Sequence, residues 1–232
     1  GLKSLIQFRV KKAPIIINLH SEQIVNSVRR DVIVGQDEAK DKIYHVSWGD
    51  VFTKSLLEAG VSTEAIIECG NPRLDFFKEG IVEQFVCSRK ELALDYGLDE
   101  NKKWALYSAN TMHLRRLDEK PGNPHWPQAI EVGTKSFYKI VEWIEHFVKE
   151  VPDMEFIYRP HPGEFKIIDK LKELQQQYSN FHIINEQAIR NWLYHCEFSG
   201  SWMSTSCVEA SMFGRYMQVL RPFKVPDNVE LD

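Results

Sequence analysis

Short apolar segments alternate with longer amphipathic stretches along most of the chain, and this alternation restricts the fold more than any other feature. Parallel strands need a crossover connection, so the pattern is typical of a parallel sheet covered by helices. The clearest predicted helix spans about residues 135–151. The predicted strands are 15–19, 31–34, 42–46, 65–69, 104–108, 155–158, 182–184, 197–200 and 216–220. The sequence therefore predicts an α/β protein.

The composition changes near residues 77–103, where a charged helical stretch leads into a polar turn. We place the domain junction there, with an N-terminal domain at 1–85, a linker at 86–102 and a C-terminal domain at 103–232. The N-terminal part is short for an independent domain. We therefore expect the N-terminal domain to be incomplete.

Charge and cysteine content exclude several classes of partner. The 29 Lys and Arg against 33 Asp and Glu give a net charge of −4, so the whole chain has no positive field for nucleic acid. No apolar run approaches the roughly 20 residues of a membrane-spanning helix. The four cysteines form no CxxC pair, so zinc and redox motifs have no support. We expect a cytoplasmic protein with reduced thiols.

A histidine between two prolines follows the predicted strand 155–158. Pro160 and Pro162 have fixed backbone φ angles, so His161 is expected on a stiff loop before a helix. Its imidazole can donate a hydrogen bond to a phosphate, and Arg159 adds a planar cation. The motif predicts a phosphate site, with a rigid surface turn as the alternative.

Three consecutive hydroxyl residues, Ser204, Thr205 and Ser206, precede another predicted helix. They can cap that helix and leave hydrogen-bond donors for an anion, although an ordinary cap is the alternative. Glu209 lies in its first turn, where it can accept hydrogen bonds from a ribose. Ligands of open α/β sheets bind at the carboxyl ends of strands, so we expect this loop and the His161 loop to contact one ligand.

Two further strand-end loops carry weaker candidates. Asn110 and Thr111 follow the predicted strand 104–108, where small polar groups allow a ligand to approach. In the first half of the chain, Glu22 follows the strand 15–19. Its carboxylate can take a proton from an attacking hydroxyl, or it is simply an acid favoured in the first turn of a helix.

These motifs together resemble bacterial surface-carbohydrate and capsule biosynthesis proteins of the GT-B glycosyltransferase type. The likeness rests on Gly-Asn-Pro-Arg-Leu-Asp at 70–75, Arg-Pro-His-Pro at 159–162, and Ser-Thr-Ser at 204–206 followed by Glu209 and Ala210. It covers the chain from about residue 15 to residue 222. It implies two Rossmann-like parallel-sheet domains, an acceptor-side domain first and a nucleotide-sugar-binding domain second.

The histidine-proline and serine motifs are similar to those of bacterial sialyltransferases and Kdo transferases, which hold a CMP-linked donor sugar. The resemblance implies that His161 and residues 204–206 bind the donor phosphate and that Glu209 lies near the ribose. Those families take their catalytic base from an acidic motif that ends in Gly. The nearest match, Ser-Glu-Gln at 21–23, has Gln at that place and makes Glu22 the expected base.

The segment 106–111 is also similar to teichoic-acid polymerases that use CDP-glycerol and share a histidine-proline loop. Both groups of relatives use cytidine nucleotides, so the expected donor is CMP- or CDP-linked and the acceptor is a glycan or lipid-linked glycan. The resemblance implies no cofactor, and it implies no bound metal, in line with the lack of an Asp-x-Asp motif in the sequence. Peripheral association with the inner face of the membrane stays open.

The expected function is transfer of a sugar from a CMP-linked donor to a glycan acceptor in bacterial surface polysaccharide biosynthesis, of the capsule or lipopolysaccharide type. A CDP-glycerol-type glycerophosphotransferase and a UDP-sugar 2-epimerase of the same fold are enzymatic alternatives. A non-catalytic module that binds a nucleotide or carbohydrate is the alternative from another class.

Overall fold

The chain forms two compact units, Gly1–Pro72 with Asn228–Asp232, and Arg73–Asp227. The computed structural model describes residues 15–20, 23, 39–110, 126–162, 167–202 and 204–225. Each unit holds a sheet of parallel strands, as the alternation of segments predicts. Eight of the nine predicted strands are confirmed with shifted ends, and the ninth, 31–34, lies outside the described residues.

The first unit contains a three-stranded sheet of order β1-β2-β3. Its elements are β1 (Ile17–Asn18), α1 (Ala39–Lys42), β2 (Tyr44–Ser47), α2 (Asp50–Glu58) and β3 (Ile66–Glu68). Helix α2 packs its apolar side on the turn that leads into β3, and the buried cluster there is Phe52, Leu56, Val61 and Ala65. The three strands pair in parallel, β1 with β2 and β2 with β3.

The second unit contains a five-stranded parallel sheet of order β6-β5-β4-β7-β8. Short 3₁₀ turns at Pro72–Phe77 and Val82–Gln84 come before its helices and strands. The elements are α3 (Arg89–Tyr96), β4 (Lys103–Ser108), α4 (Trp126–Glu150), β5 (Met154–Arg159), α5 (Asp169–Gln177), β6 (Phe181–Ile183), α6 (Ile189–His195), β7 (Phe198–Ser201), α7 (Ser206–Met212) and β8 (Tyr216–Val219). Counted within the unit, the strand order is 3-2-1-4-5, the order of a Rossmann sheet.

Helix α3 lies within 86–102, the stretch expected as a linker, and packs into the core of the second unit. The helix begins with a capping box, because Ser88 and Glu91 each bond the other's backbone N–H. It ends at Gly97, whose φ of 69° is left-handed. Leu92 is fully buried against the cluster around Trp104. The two compact units divide between Pro72 and Arg73, before this helix.

Helix α4 is longer than the predicted helix and lies on the sheet along one apolar face. Ile140, Ile144 and Val148 are buried on that face. Phe147 packs on Phe156 of β5, with ring centroids 5.3 Å apart. Within the described part of the chain, no helix is long and apolar enough to cross a membrane.

We predict that Leu92→Ala destabilises the chain by about 2–5 kcal/mol, because it removes a fully buried side chain and leaves a cavity. Leu94 lies on the same helix with 83% of its surface exposed, so Leu94→Ala is the matched control and should change the free energy of unfolding by less than about 0.5 kcal/mol. Urea unfolding measures both. Equal effects would mean that α3 is not part of this core.

Candidate functional site

The carboxyl ends of three neighbouring strands meet at one edge of the five-stranded sheet, here called the carboxyl edge. Ser108 at the end of β4 pairs with Arg159 of β5 on one side and with Ser201 of β7 on the other. The Ser201 hydroxyl donates a 2.7 Å hydrogen bond to the Ser108 carbonyl. The Ala109 N–H donates to the Arg159 carbonyl at 2.9 Å. The loops after β4, β5 and β7 therefore leave the sheet together.

The strand order places a topological switch point between β4 and β7. Successive strands after β4 are added on one side of it up to β6, and from β7 onward on the other side. Open α/β sheets bind ligands at the carboxyl ends of the strands, at such a switch point. Asn110 is half-buried directly after β4. Thr111 lies outside the described residues. The ends of β5 and β7 flank β4, about 10 Å apart at the usual strand spacing.

The described part of the His161 loop, residues 160–162, becomes more exposed as it leaves β5. Pro160 is buried, His161 is half-buried and Pro162 is exposed. The backbone at Arg159 is tied to the loop after β4, as described above. The imidazole thus belongs to a loop that starts at the carboxyl edge and is accessible to solvent.

The serine loop caps α7 differently from the sequence expectation. The Ser204 hydroxyl oxygen accepts from the Ser206 N–H at 3.2 Å and from the Ser206 hydroxyl at 2.9 Å. Thr205 is the residue before the helix, and its side chain forms no capping hydrogen bond. Ser204 and Thr205 are half-buried residues, while Ser206 is buried. The Ser204 and Ser206 side chains are thus bonded to each other within the turn, while Thr205 makes no capping bond.

Arg159 is bonded to the loop that follows β6. Its Nη1 donates to the Glu186 carbonyl at 2.5 Å, and its Nη2 donates to the Gln187 carbonyl. The expectation that Arg159 binds phosphate stays a prediction, but two of its donors have backbone partners in this structure.

The two acidic candidates differ in what the structure describes. Glu209 is half-buried in the first turn of α7, close in sequence to the serine loop. Glu22 lies outside the described residues. Its neighbour Gln23 bonds the backbone of the next strand and loop, with Nε2 donating to the Val46 carbonyl at 2.8 Å and Oε1 accepting from the Trp48 N–H at 2.6 Å. The Gln that stands where the resembled motif has Gly therefore holds local structure.

A histidine pair at the end of β1 is a feature that the sequence analysis missed. His20 Nε2 and His45 Nδ1 are 3.0 Å apart, and the His20 ring meets Phe52 edge-on with centroids 5.0 Å apart. His20 has a φ of 45°, a left-handed conformation that is rare for a non-glycine residue. Burial, aided by the charge of His45, lowers the pKa of His20 to about 4. A neutral imidazole at pH 7 can accept a proton.

One signal for this pair was available in the sequence. A histidine comes directly after the first apolar strand, and another lies within the next strand. In the sheet His45 is the register partner of Asn18, two residues before His20. Among the described residues, no three His, Cys, Asp or Glu side chains are grouped to hold a metal ion.

No protein-family model and no curated protein sequence matches the chain. Solved structures do match. The UDP-GlcNAc 2-epimerase from Neisseria meningitidis, bound to UDP-GlcNAc, has 17% identity and a TM-score of 0.55, over 78% of this chain and 45% of that one. The fold is GT-B-like.

Two other structures support the GT-B-like fold. The UDP-GlcNAc 2-epimerase from Methanocaldococcus jannaschii, in complex with UDP-GlcNAc and UDP, has 16% identity and a TM-score of 0.52, over 77% of this chain and 45% of that one. A putative UDP-N-acetylglucosamine 2-epimerase from Listeria monocytogenes has 17% identity and a TM-score of 0.52, over 77% and 42%. The chain thus spans less than half the length of these GT-B-like structures.

The lowered pKa of His20 predicts a pH dependence of stability. An unfolded histidine titrates near pH 6.5, and folded His20 near pH 4, so the folded state binds fewer protons between these values. Wild-type stability should therefore fall as the pH drops from about 6.5 to about 4. His20→Asn keeps a residue that tolerates the left-handed conformation and removes this titration. Thermal midpoints measured from pH 4 to pH 8 should show a shallower decline for the variant, whereas parallel curves would contradict the assignment.

Proposed function

We propose that the chain acts on a nucleotide-activated sugar whose phosphates bind at the carboxyl edge. The observation that carries this proposal is the register of β4 with both β5 and β7, closed by the hydrogen bond from Ser201 to the Ser108 carbonyl. It brings the His161 loop and the serine loop to one edge of a Rossmann-ordered sheet. The GT-B-like fold, found also in structures that bind UDP-GlcNAc, supports the same ligand class.

The reaction we propose is glycosyl transfer in bacterial surface polysaccharide biosynthesis, with a CMP-linked donor. An acceptor hydroxyl on a glycan attacks the anomeric carbon of the donor sugar, and the nucleotide leaves with the bonding electrons. His161 and the hydroxyls of Ser204 and Thr205 stabilise the charge that develops on the leaving phosphate. Glu209 binds the ribose, and Asn110 contacts the ligand from the loop after β4.

The acceptor hydroxyl needs a base, and we propose Glu22 for this role. His20 is the second candidate, because its neutral imidazole lies at the end of β1 in the same unit. A base must accept the proton at the working pH, and a histidine with a pKa near 4 is unprotonated there.

Epimerisation of a UDP-sugar is the second candidate function. The observation in its favour is that the three solved structures reported above are named as 2-epimerases, two of them with UDP-GlcNAc bound. The phosphate contacts proposed here serve either reaction, since both begin with a nucleotide sugar. The two functions differ in the preferred nucleotide and in the need for an acceptor.

We predict that nucleotides raise the thermal midpoint of the chain. His161→Ala should lower the affinity for the tightest-binding nucleotide by roughly 10- to 100-fold, because one charge-assisted hydrogen bond is lost. Thermal midpoints are measured with CMP, CDP, UMP, UDP and GDP, and titration calorimetry then measures the affinity for the nucleotide that stabilises most. The matched control is His146→Ala, which removes an exposed histidine of helix α4 and should leave affinity unchanged. Unchanged affinity in His161→Ala would remove the central residue of the proposal.

The products formed with and without acceptor distinguish the two reactions. We expect a CMP-sugar to be consumed only when a glycan acceptor is present, because transfer needs the attacking hydroxyl. Conversion of UDP-GlcNAc to a second UDP-sugar without acceptor, followed by proton NMR of the anomeric signals, would instead identify the epimerase. Nucleotide binding with neither turnover would indicate a non-catalytic binding module.

A further inference from the structure

The loop that follows β6 leaves the sheet at the same carboxyl edge as the His161 loop. The Ile184 N–H donates to the Tyr158 carbonyl at 3.0 Å, which extends the pairing of β6 with β5 to the end of both strands. The next residues, Glu186 and Gln187, offer their carbonyls to Arg159, the last residue of β5. One guanidinium therefore bonds two consecutive peptide groups of the neighbouring loop.

The backbone of this loop has a strained conformation that hydrogen bonds from neighbouring elements stabilise. Gln187 has a φ of 65°, a left-handed conformation that costs about 1 kcal/mol or more for a residue with a side chain. The Gln187 side-chain oxygen accepts from Asn191 Nδ2 at 3.1 Å. The Glu186 carbonyl also accepts from Trp192 Nε1 at 3.1 Å, and this Trp is fully buried. The loop is thus hydrogen-bonded both to helix α6 and to Arg159 at the end of β5.

Arginine suits this position because its planar fork presents two parallel N–H donors. A lysine carries the same charge, but its three N–H donors sit on one freely rotating nitrogen, so it does not reproduce the fixed two-nitrogen fork that bonds both carbonyls. Partial burial lowers the pKa of Arg159 from its usual value, and the nearby Glu186 carboxylate opposes this shift. An arginine guanidinium in a protein stays protonated, so Arg159 carries its charge at neutral pH.

We propose that Arg159 is a positioning residue of the nucleotide site, which holds residues 186–188 at the carboxyl edge as one wall of that site and does not itself contact the phosphates. This inference rests on the proposed function. Its physical basis is that both terminal nitrogens of the guanidinium have backbone carbonyl partners. Without Arg159 the hydrogen bonds to the Glu186 and Gln187 carbonyls are lost, so the left-handed backbone at Gln187 is no longer held and this wall of the site loses its fixed shape.

A comparison of Arg159→Lys and Arg159→Ala tests this role. We use the mono- and diphosphate of the base preferred by the wild type, CMP and CDP or UMP and UDP, each at 50 and 200 mM salt. A positioning role predicts that both variants lose affinity by a similar factor of about 10, equally for the mono- and diphosphate, with the salt dependence unchanged. Arg215→Lys is the matched control, because Arg215 bonds the Tyr194 carbonyl at 2.7 Å before β8 and should change no affinity.

A direct phosphate contact predicts the opposite pattern. Arg159→Lys would then retain most of the affinity, the loss in Arg159→Ala would be larger for the diphosphate, and the salt dependence would weaken. That result overturns the inference and leaves the proposed function standing. A wild-type chain that binds none of the nucleotides overturns the proposed function, and this inference with it.

Hydrogen exchange gives a readout that does not need ligand. The peptide covering residues 186–192 should exchange faster in Arg159→Lys than in the wild type, and unchanged exchange there would overturn the inference. Trp192→Phe provides a second variant if the arginine variants fail to fold, since it keeps an aromatic ring in the core while removing the bond to the Glu186 carbonyl and part of the buried ring volume. It should give a smaller loss of affinity with the same equal effect on mono- and diphosphate.

Discussion

Strand β4 is hydrogen-bonded along both edges, to β5 from Lys103 to Ser108 and to β7 from Ala105 to Ser108. A strand paired on both sides has no free register, because a shift by one residue would turn every side chain to the other face. The ends of its neighbours are therefore fixed relative to Ser108. The Ser201 hydroxyl completes this arrangement at the carboxyl edge by bonding the carbonyl of Ser108, the last residue of β4, which would otherwise need another partner. Every proposed ligand contact of the second unit depends on it.

The polar groups at this edge serve two purposes that the structure separates. Ser206 bonds Ser204 within the serine loop, and Arg159 bonds the backbone of the loop after β6, so both hold the shape of the edge. His161, Ser204 and Thr205 are half-buried, and they are the groups proposed to meet the ligand. A preorganised site needs both kinds, because hydrogen-bond donors stabilise a developing charge only if they are already in place.

In the first unit, too, polar side chains bond the loops at the ends of the strands. The Gln23 amide bonds the backbone on both sides of the turn after β2, and His20 is held against His45 at the end of β1. The Thr53 hydroxyl bonds Glu68 of β3 at 2.5 Å. Polar side chains thus gather where the strands end, which is where a parallel sheet leaves backbone groups for its loops to satisfy.

Hydrophobic periodicity by itself determined the α/β class, the positions of eight strands, and the location of His161 and residues 204–206 in strand-end loops, because these depend on neighbours within a few positions along the chain. Only the tertiary structure decided the strand order, with β4 between β5 and β7, and the partners of Arg159 and His20. Those contacts join residues about 25 or more positions apart. Side-chain direction at such sites follows from how the sheet assembles, which local spacing does not encode.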